Sequence, residues 1–184
     1  MSSLSPCWYW EGEIPFEICD HIINSIDKNN YRKGLLFNNT DSGEIRKVNI
    51  QFTNNNWINA LLNGYIRFAN HANFDFDLSE EDKEPTQLSC YGKGEYYSTH
   101  RDFSYNRSCK GHTRKLSLSL QLSSESDYSG GDLILYHHNE KYICPKTKGT
   151  IFVFDSRLIH EVTEITQGVR YSLVKWYHGD KPLR

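Results

Sequence analysis

The strongest constraint on the fold is a strict alternation of apolar and polar residues in the segment RKLSLSLQLS, residues 114–123. Leucines occupy every second position: Leu116, Leu118, Leu120 and Leu122. Polar residues fill the positions between them: Ser117, Ser119 and Gln121. Because successive side chains of a strand point to opposite faces, this period predicts a strand with one apolar and one polar face. Such a strand is typical of a sheet that packs against a core on one side.

More strands follow this one, with no long helix between them. Short hydrophobic runs bounded by turn residues span 128–145, 149–155 and 169–179, and the first run contains a tight HNEK turn. Many short strands without crossover helices favour antiparallel pairing. We therefore predict an α+β fold, in which a double-stranded β-helix (jelly roll) core is braced by N-terminal helices.

The first half of the chain carries the helical signals. Pro15 suits a first helical position, and an apolar stripe predicts a helix over about 15–28. A second apolar stripe, which starts at Trp57, predicts a helix to about residue 71. Between the helices, the segments GLLFNN and EIRKVNIQF are predicted strands on either side of a TDSG turn.

One domain accounts best for a chain of 184 residues. Within residues 1–184, the acidic segment DLSEEDKEP, residues 77–85, is the best internal boundary. We predict that residues 1–85 form a helical support with short strands. Residues 86–184 then form the jelly-roll core that carries the chemistry.

Composition and charge exclude several classes of protein. The formal net charge is -2 and the pI is near 6.4, which makes a nucleic-acid partner unlikely on electrostatic grounds. The five cysteines are widely spaced and lack a Cys-x-x-Cys pair, so we expect neither a disulfide framework nor a thiolate zinc site. The segment MSSLSPCWYWEGEIP lacks signal-peptide regions, and no apolar run is long enough to cross a membrane. We therefore expect a cytoplasmic protein with no membrane partner.

Candidate metal ligands lie at both ends of the β-rich half. The segment YSTHRDFSY holds His100 and Asp102, and FVFDSRLIHEV places His160 after a hydrophobic strand. A jelly roll brings late strands beside early ones, so these residues can meet. Two imidazoles and one carboxylate on one face of a metal leave positions open, as in non-haem Fe(II) oxygenases. Arg170, ten residues after His160, suits bidentate pairing with a cosubstrate carboxylate.

Four segments resemble a known family, in the order in which they occur along the chain: CYGKGEYYSTHRD, LSLQLSSESDYSGGDLIL, KGTIFVFDSRLIHEV and GVRYSLVKWY. Residues 86–178, which contain them, resemble the Fe(II)/2-oxoglutarate-dependent dioxygenases of the prolyl 4-hydroxylase type, including the PKHD-type hydroxylases. The resemblance implies that His100, Asp102 and His160 bind the iron. It also implies that Arg170 holds the C5 carboxylate of 2-oxoglutarate and that all four residues serve catalysis.

The resemblance further implies contacts with the cosubstrate. Tyr91 matches a tyrosine whose hydroxyl contacts the same carboxylate. Six other positions match residues that line the cosubstrate pocket: Ser117, Gln121, Leu133, Val162, Ser172 and Trp176. Gln121 departs from the tyrosine of the animal oxygen-sensing hydroxylases. The implied cofactors are Fe(II), 2-oxoglutarate as a small-molecule cosubstrate, O2 and ascorbate.

The implied activity is hydroxylation of an amino-acid side chain, foremost a prolyl residue in a peptide or protein, with release of succinate and CO2. Two alternatives stay open: the same chemistry on a small metabolite or an alkylated nucleic acid, and a non-catalytic jelly-roll binding module. Residues 103–115 fit a surface loop and a substrate lid equally well, and Arg101 has no assigned role. The remaining histidines of the β-rich half are predicted to be exposed, without a metal role: His112, His137, His138 and His178.

Overall fold

The computed structural model describes residues 6–34, 45–80, 84–103 and 112–180. In chain order, its strands are β1 (Cys7–Trp10), β2 (Arg32–Lys33), β3 (Arg46–Lys47), β4 (Asn49–Thr53), β5 (Thr86–Tyr91), β6 (Tyr96–His100), β7 (His112–Gln121), β8 (Tyr128–Gly130), β9 (Leu133–His137), β10 (Glu140–Ile143), β11 (Ile151–Asp155), β12 (Ile159–Val162), β13 (Ile165–Gly168) and β14 (Arg170–Asp180). The α-helices of the same residues are α1 (Phe16–Asn24) and α2 (Asn56–Ala69).

The strands form two larger sheets and one small ribbon. The seven-stranded sheet has the order β1-β11-β7-β14-β5-β4-β2, and the five-stranded sheet has the order β10-β9-β12-β6-β3. Strands β13 and β8 form the ribbon. All pairs are antiparallel, and this mostly antiparallel arrangement with few helices confirms the predicted jelly roll.

The alternation in β7 divides the interior into two cores. The three leucines of this strand and Leu122, which follows it, are fully buried against the helices, together with Ile22 of α1 and Leu62 of α2. A second core, which includes Phe152, Phe154 and Leu135, fills part of the space between the two larger sheets. The N-terminal helices therefore cover the outer face of the seven-stranded sheet, and the polar face of β7 is turned towards the other sheet.

Helix α1 is shorter than predicted, because the chain turns out of the helix at Ser25. Its apolar stripe still packs as expected, since Cys19 and Ile22 are buried. Helix α2 begins at an N-cap formed by Asn55, whose side chain accepts a hydrogen bond from the Trp57 backbone N–H at 3.1 Å. It continues through one wider turn, Asn70–Phe74, which extends the helical region slightly beyond the predicted end.

The segment EIRKVNIQF forms two strands rather than one. Val48 separates β3, at the edge of the five-stranded sheet, from β4, inside the seven-stranded sheet. Most of the segment GLLFNN and its turn lie outside the described residues. Strands β1, β2 and β4 from the first half of the chain lengthen the larger sheet. The boundary that the sequence suggests near residue 85 stays a prediction. Among the described residues, no helix has both the length and the apolar character needed to cross a membrane.

Candidate functional site

Strand pairing brings the predicted metal ligands together. Strand β6 ends at His100 and pairs with β12, so that His160 lies directly opposite His100. Asp102 follows two residues after the end of β6, and its carboxylate lies 3.8 Å from Nε2 of His100 and 3.4 Å from Nε2 of His160. One ligand atom from each of the three residues lies within 4.8 Å of the others. This cluster can hold a metal ion.

Backbone carbonyls orient both imidazole rings. Nδ1 of His100 lies 2.7 Å from the Ser98 carbonyl oxygen, and Nδ1 of His160 lies 3.0 Å from the Leu158 carbonyl oxygen. A carbonyl accepts but cannot donate, so each Nδ1 carries a proton, and each Nε2 presents a lone pair when its ring is neutral. Metal-binding histidines are oriented in this way by their second nitrogen.

The carboxylate of Asp102 is held from the polar face of β7. Ser117 Oγ donates a hydrogen bond to Asp102 Oδ2 at 2.7 Å. Ser117 Oγ also lies 2.9 Å from Ser156 Oγ, on the turn after β11. Asp102 and both serines are buried, so these bonds fix the carboxylate in a site shielded from solvent.

Burial and mutual charge set the protonation of the cluster. Burial and the neighbouring His160 lower the pKa of His100 to about 4, which keeps that ring neutral and able to bind a metal. Burial alone would raise the pKa of Asp102, but His160 and the other nearby positive groups lower it. Burial alone would lower the pKa of His160, and the Asp102 carboxylate raises it instead. In the metal-free cluster, the ionised Asp102 carboxylate therefore favours the protonated form of His160, while His100 stays neutral.

Arg170 is a buried cation in the same cavity. The register of β14 and β5 sets it opposite Tyr91, and its guanidinium carbon lies 5.7 Å from the centre of the Tyr91 ring. The Arg170 side chain makes one long hydrogen bond, from Nη1 to Ser172 Oγ at 3.4 Å, and its buried Nε has no hydrogen-bond partner among the described residues. Because a buried charge needs a counterion or strong hydrogen bonds, Arg170 is suited to receive an anion.

A cavity of about 570 Å³ lies between the two larger sheets and contains these groups. It is lined by the three candidate ligands and by most of the residues that the sequence assigned to the cosubstrate: Tyr91, Leu133, Val162, Arg170, Ser172 and Trp176. Alternate positions of β14 supply Arg170, Ser172 and Trp176 because they share the face that is turned towards the cavity.

Ser117 and Gln121 do not line this cavity among the described residues. Ser117 lies behind Asp102, to which it donates its hydrogen bond. The Gln121 side-chain amide donates to the Ser123 carbonyl oxygen and to the Tyr128 hydroxyl, both at 3.0 Å. Both residues face the interior as the alternation predicts, but their polar atoms are engaged by protein groups.

A second, partly buried polar cluster borders the cavity and was not predicted from the sequence. Glu84 accepts hydrogen bonds from Arg114, from Nε at 2.9 Å and from Nη2 at 2.5 Å. Nε2 of His178 lies 3.0 Å from the same carboxylate. Burial would raise the pKa of Glu84, yet His178 and Arg114 lower it to about 2. The Arg114 guanidinium also lies 3.9 Å from the centre of the Trp176 ring.

A register shift explains why this cluster was missed. By strict alternation, Arg114 would share the apolar face with Leu116. The pairing of β7 with β14 shifts after Tyr177, so that His178 lies opposite Arg114. A bulge of this kind turns the next side chains to the other face. The prediction that His178 is exposed is wrong, because β14 continues to Asp180 and buries this ring, which is 4% exposed.

Two further cavity residues escaped the sequence reasoning. The Tyr97 ring stacks on His100, with ring centres 3.4 Å apart. The Arg46 guanidinium carbon lies over the same Tyr97 ring, 4.6 Å from its centre. Tyr97 belongs to the same YSTHRD segment as His100 and Asp102, and this proximity in the sequence could have indicated that it lies at the site. Arg101 is exposed and lines the cavity. Most of the 103–115 loop lies outside the described residues.

The sequence of residues 86–178 matches the family described as the 2OG-Fe(II) oxygenase superfamily. Among curated relatives, a PKHD-type hydroxylase of Idiomarina loihiensis is 33% identical over 89 residues, which cover 48% of this chain and 39% of that protein. A PKHD-type hydroxylase of a Synechococcus strain is 34% identical over 80 residues, 44% of this chain and 35% of that protein. The match thus spans well under half the length of these relatives.

Solved structures with the same fold cover nearly the whole chain. A prolyl-4-hydroxylase of Pseudomonas putida aligns with a TM-score of 0.75 at 17% identity, over 96% of this chain and 94% of that one. A prolyl hydroxylase from Trichoplax adhaerens, solved with a hypoxia inducible factor peptide fragment, aligns with a TM-score of 0.77 at 20% identity, over 94% of this chain and 83% of that one. At these identities, the likeness establishes the fold. The family match over residues 86–178, half of the chain, shows that the protein belongs to the 2OG-Fe(II) oxygenase superfamily.

Proposed function

We propose that this protein is an Fe(II)- and 2-oxoglutarate-dependent dioxygenase that hydroxylates a prolyl residue of a peptide or protein. The observation that carries the proposal is the meeting of His100, Asp102 and His160 in one cavity with the buried cation Arg170. The iron, when bound, couples oxidative decarboxylation of 2-oxoglutarate, with release of succinate and CO2, to hydroxylation of a C–H bond.

The ligand set fits Fe(II). Two imidazole nitrogens and one carboxylate are borderline and hard donors, and they leave other coordination positions for small ligands. The protein holds this set ready, because the Ser98 and Leu158 carbonyls fix the two rings and Ser117 fixes the carboxylate. A preorganised ligand set binds metal with little loss of conformational freedom.

The cosubstrate pocket is supported by the chemistry of Arg170. The Arg170 residue is 3% exposed. Its guanidinium carries a full positive charge, and its Nε has no hydrogen-bond partner among the described residues. A carboxylate would supply the missing acceptor and the counter-charge together. The same cavity wall offers the Ser172 hydroxyl and the buried Tyr91 side chain, so one end of a dicarboxylate can be bound apart from the metal.

A peptide or protein substrate is supported by the solved structures with this fold. They are named as prolyl hydroxylases, and the Trichoplax protein was captured with a peptide fragment. The complete ligand set argues against a non-catalytic binding module. The predicted cytoplasmic location and the use of ascorbate stay predictions of the sequence.

Anaerobic titration with Fe(II) and 2-oxoglutarate tests the proposal. We expect a visible charge-transfer band, succinate formation once air is admitted, and a mass gain of about 16 Da on a proline-containing peptide. His160→Ala should lose the band and the succinate. The matched control is His71→Ala, which removes an exposed histidine outside the cavity. A wild-type protein with neither band nor succinate would refute the enzyme assignment. A mass gain on a metabolite or oligonucleotide alone would refute the peptide substrate.

A further inference from the structure

The charged side chains that line the cavity are strongly unbalanced. Among the described residues, two of these are acidic, Asp102 and Glu84, whereas six are basic: Arg32, Lys33, Arg46, Arg101, Arg114 and Arg170. The whole chain has a formal net charge of -2. The positive charge is therefore concentrated at this cavity and is not a general property of the protein surface.

Three of the basic residues already have roles within the protein or towards the cosubstrate. Arg114 is bound to Glu84 through two nitrogen atoms. Arg46 packs on the Tyr97 ring and donates to Gln87 Oε1 at 3.2 Å. Arg170 lies buried at the inner wall, where the proposed function assigns it a cosubstrate carboxylate.

The other three basic residues form what we call the basic rim: Arg32, Lys33 and Arg101. All three are exposed, so they lie at the solvent end of the cavity. None of them makes a side-chain ion pair or hydrogen bond with another residue that the structure describes. Arg32 and Lys33 come from β2, at the edge of the seven-stranded sheet, and Arg101 comes from the turn between two metal ligands. Separate parts of the fold thus bring unpaired positive charge to one opening.

Unpaired cations around a cleft raise the local concentration of anionic ligands and speed their association. We propose that the substrate is an acidic peptide segment, with Asp or Glu close to the target residue, which the basic rim binds. This inference rests on the proposed function and narrows its substrate class. It also gives Arg101 a role: its side chain binds the substrate while its neighbours on either side bind the metal.

An acidic peptide fits the rim better than a nucleic acid does. A base that stacks in the cavity needs an aromatic face, but Tyr97 is stacked on His100 and Trp176 is covered by Arg114. Phe52, which is 46% exposed, is the remaining aromatic side chain at the solvent end among the described cavity residues. Successive bases need a series of such faces, so one exposed aromatic ring at the solvent end favours a peptide over a nucleic acid strand.

The test is a binding titration with fluorescein-labelled peptides. Three peptides share one proline-containing sequence and differ at four flanking positions, which hold Asp and Glu, Asn and Gln, or Lys. They are titrated into the anaerobic protein loaded with Fe(II) and 2-oxoglutarate, and also into the metal-free protein. We expect the acidic peptide to bind about 10-fold more tightly than the neutral one, since each exposed ion pair contributes roughly a factor of 2 to 5. The preference should shrink in 0.5 M salt.

A matched pair of double variants ties this preference to the rim. Lys33→Gln/Arg101→Gln should weaken binding of the acidic peptide by about 5-fold and leave the neutral peptide unchanged. Arg67→Gln/Lys141→Gln removes one arginine and one lysine that are exposed elsewhere and do not line the cavity, and it should change neither peptide.

Three results would overturn the inference: equal binding of all three peptides, tighter binding of the lysine peptide, or an acidic preference that both double variants keep. A single-stranded oligonucleotide that binds more tightly than the acidic peptide through Lys33 and Arg101 would overturn the peptide class. The peptides are also titrated into the metal-free protein, so the preference of the basic rim is measured without iron or cosubstrate. A failure to bind iron or 2-oxoglutarate would therefore contradict the proposed function and not the peptide preference.

Discussion

Two polar clusters border the same cavity, and their carboxylates have different kinds of partner. In the first, Nε2 of His100 and Nε2 of His160 lie 3.8 Å and 3.4 Å from the carboxylate of Asp102. In the second, Glu84 is bound by Arg114 and His178. Both clusters contain one carboxylate, which is buried in the first and partly exposed in the second, and only the second one includes a permanently charged partner.

The difference shows how a polar cluster can be recognised as a site rather than as part of the scaffold. The cluster around Glu84 is complete, because the cation and the carboxylate neutralise each other and share good hydrogen bonds. In the cluster around Asp102, no arginine or lysine of the described residues is bound to the carboxylate, and its nearest positive partner is the His160 imidazole, which can lose its proton. A divalent metal would complete it. A carboxylate with its own permanent counter-charge thus fits a structural ion pair, whereas the Asp102 cluster fits a candidate metal site.

The largest expected effect comes from Asp102→Asn, which keeps the shape of the side chain and removes its charge. Loss of one of three ligands should weaken Fe(II) binding by more than about 100-fold and reduce succinate formation to background. The free energy of unfolding of the metal-free protein should change by less than about 1 kcal/mol, because asparagine keeps the size of the side chain and its carbonyl oxygen can still accept the hydrogen bond from Ser117. Isothermal titration with Fe(II) under anaerobic conditions and urea unfolding measure the two quantities.

The same carboxylate-to-amide change at the second cluster, Glu84→Gln, should act in the reverse sense. It leaves the partly buried Arg114 without its counter-charge, which should lower the free energy of unfolding by about 1–3 kcal/mol, less than for a fully buried pair because the two side chains are 20% and 23% exposed. Fe(II) affinity should stay within about 3-fold of the wild type. Urea unfolding and iron titration again report both values.

Glu164→Gln is a suitable control for this change, since Glu164 is exposed and its side chain has no charged partner among the described residues. Its free energy of unfolding should stay within about 0.5 kcal/mol of the wild type. A loss of iron binding in Glu84→Gln with unchanged stability would contradict the division between the two clusters.

Much of the fold follows from local patterns. The leucine alternation of β7 requires one apolar and one polar face, and the amphipathic stripes of α1 and α2 supply the surface that covers the apolar one. The local patterns do not show which strand pairs with which. The division of EIRKVNIQF between two sheets at Val48 depends on pairing with β5 and β6, which are distant along the chain.

The candidate site shows the same limit. His100, Asp102, His160 and Arg170 carry a spacing that is readable in the sequence, and the structure brings them together in one cavity. Arg114 and His178 were unpredictable because a one-residue shift in the pairing of β7 and β14 reverses the face of Arg114. Ser117 was predicted at the cosubstrate, and only the three-dimensional structure sets it behind Asp102 instead.

The position of Ser117 leads to a smaller effect on the metal cluster. Ser117→Ala removes the hydrogen bond to Asp102 Oδ2 and leaves the carboxylate free to rotate, so Fe(II) binding should weaken by about 10-fold while all three ligands remain. Ser119→Ala is the matched control, because Ser119 shares this face of β7 and makes no hydrogen bond to Asp102. Anaerobic iron titration without cosubstrate separates the metal from the cosubstrate pocket. Equal iron affinity in the two variants would show that Ser117 does not position the ligand.

The smallest expected effect is the pH dependence of the second cluster. The folded-state pKa of Glu84 is lowered to about 2, whereas an unfolded glutamate titrates near about 4.3. A lowered carboxyl pKa stabilises the folded state above the unfolded pKa, and this stability is lost as the pH falls towards 2. The difference in unfolding free energy between the wild type and Glu84→Gln should therefore be constant from pH 7 to 5 and shrink by about 1 kcal/mol by pH 3, after allowance for solvent screening. Urea unfolding of the metal-free proteins over this range measures it. A difference that stays constant down to pH 3 would mean that Glu84 is not ion-paired in solution, and the contrast between the two clusters would then rest on the metal ligands alone.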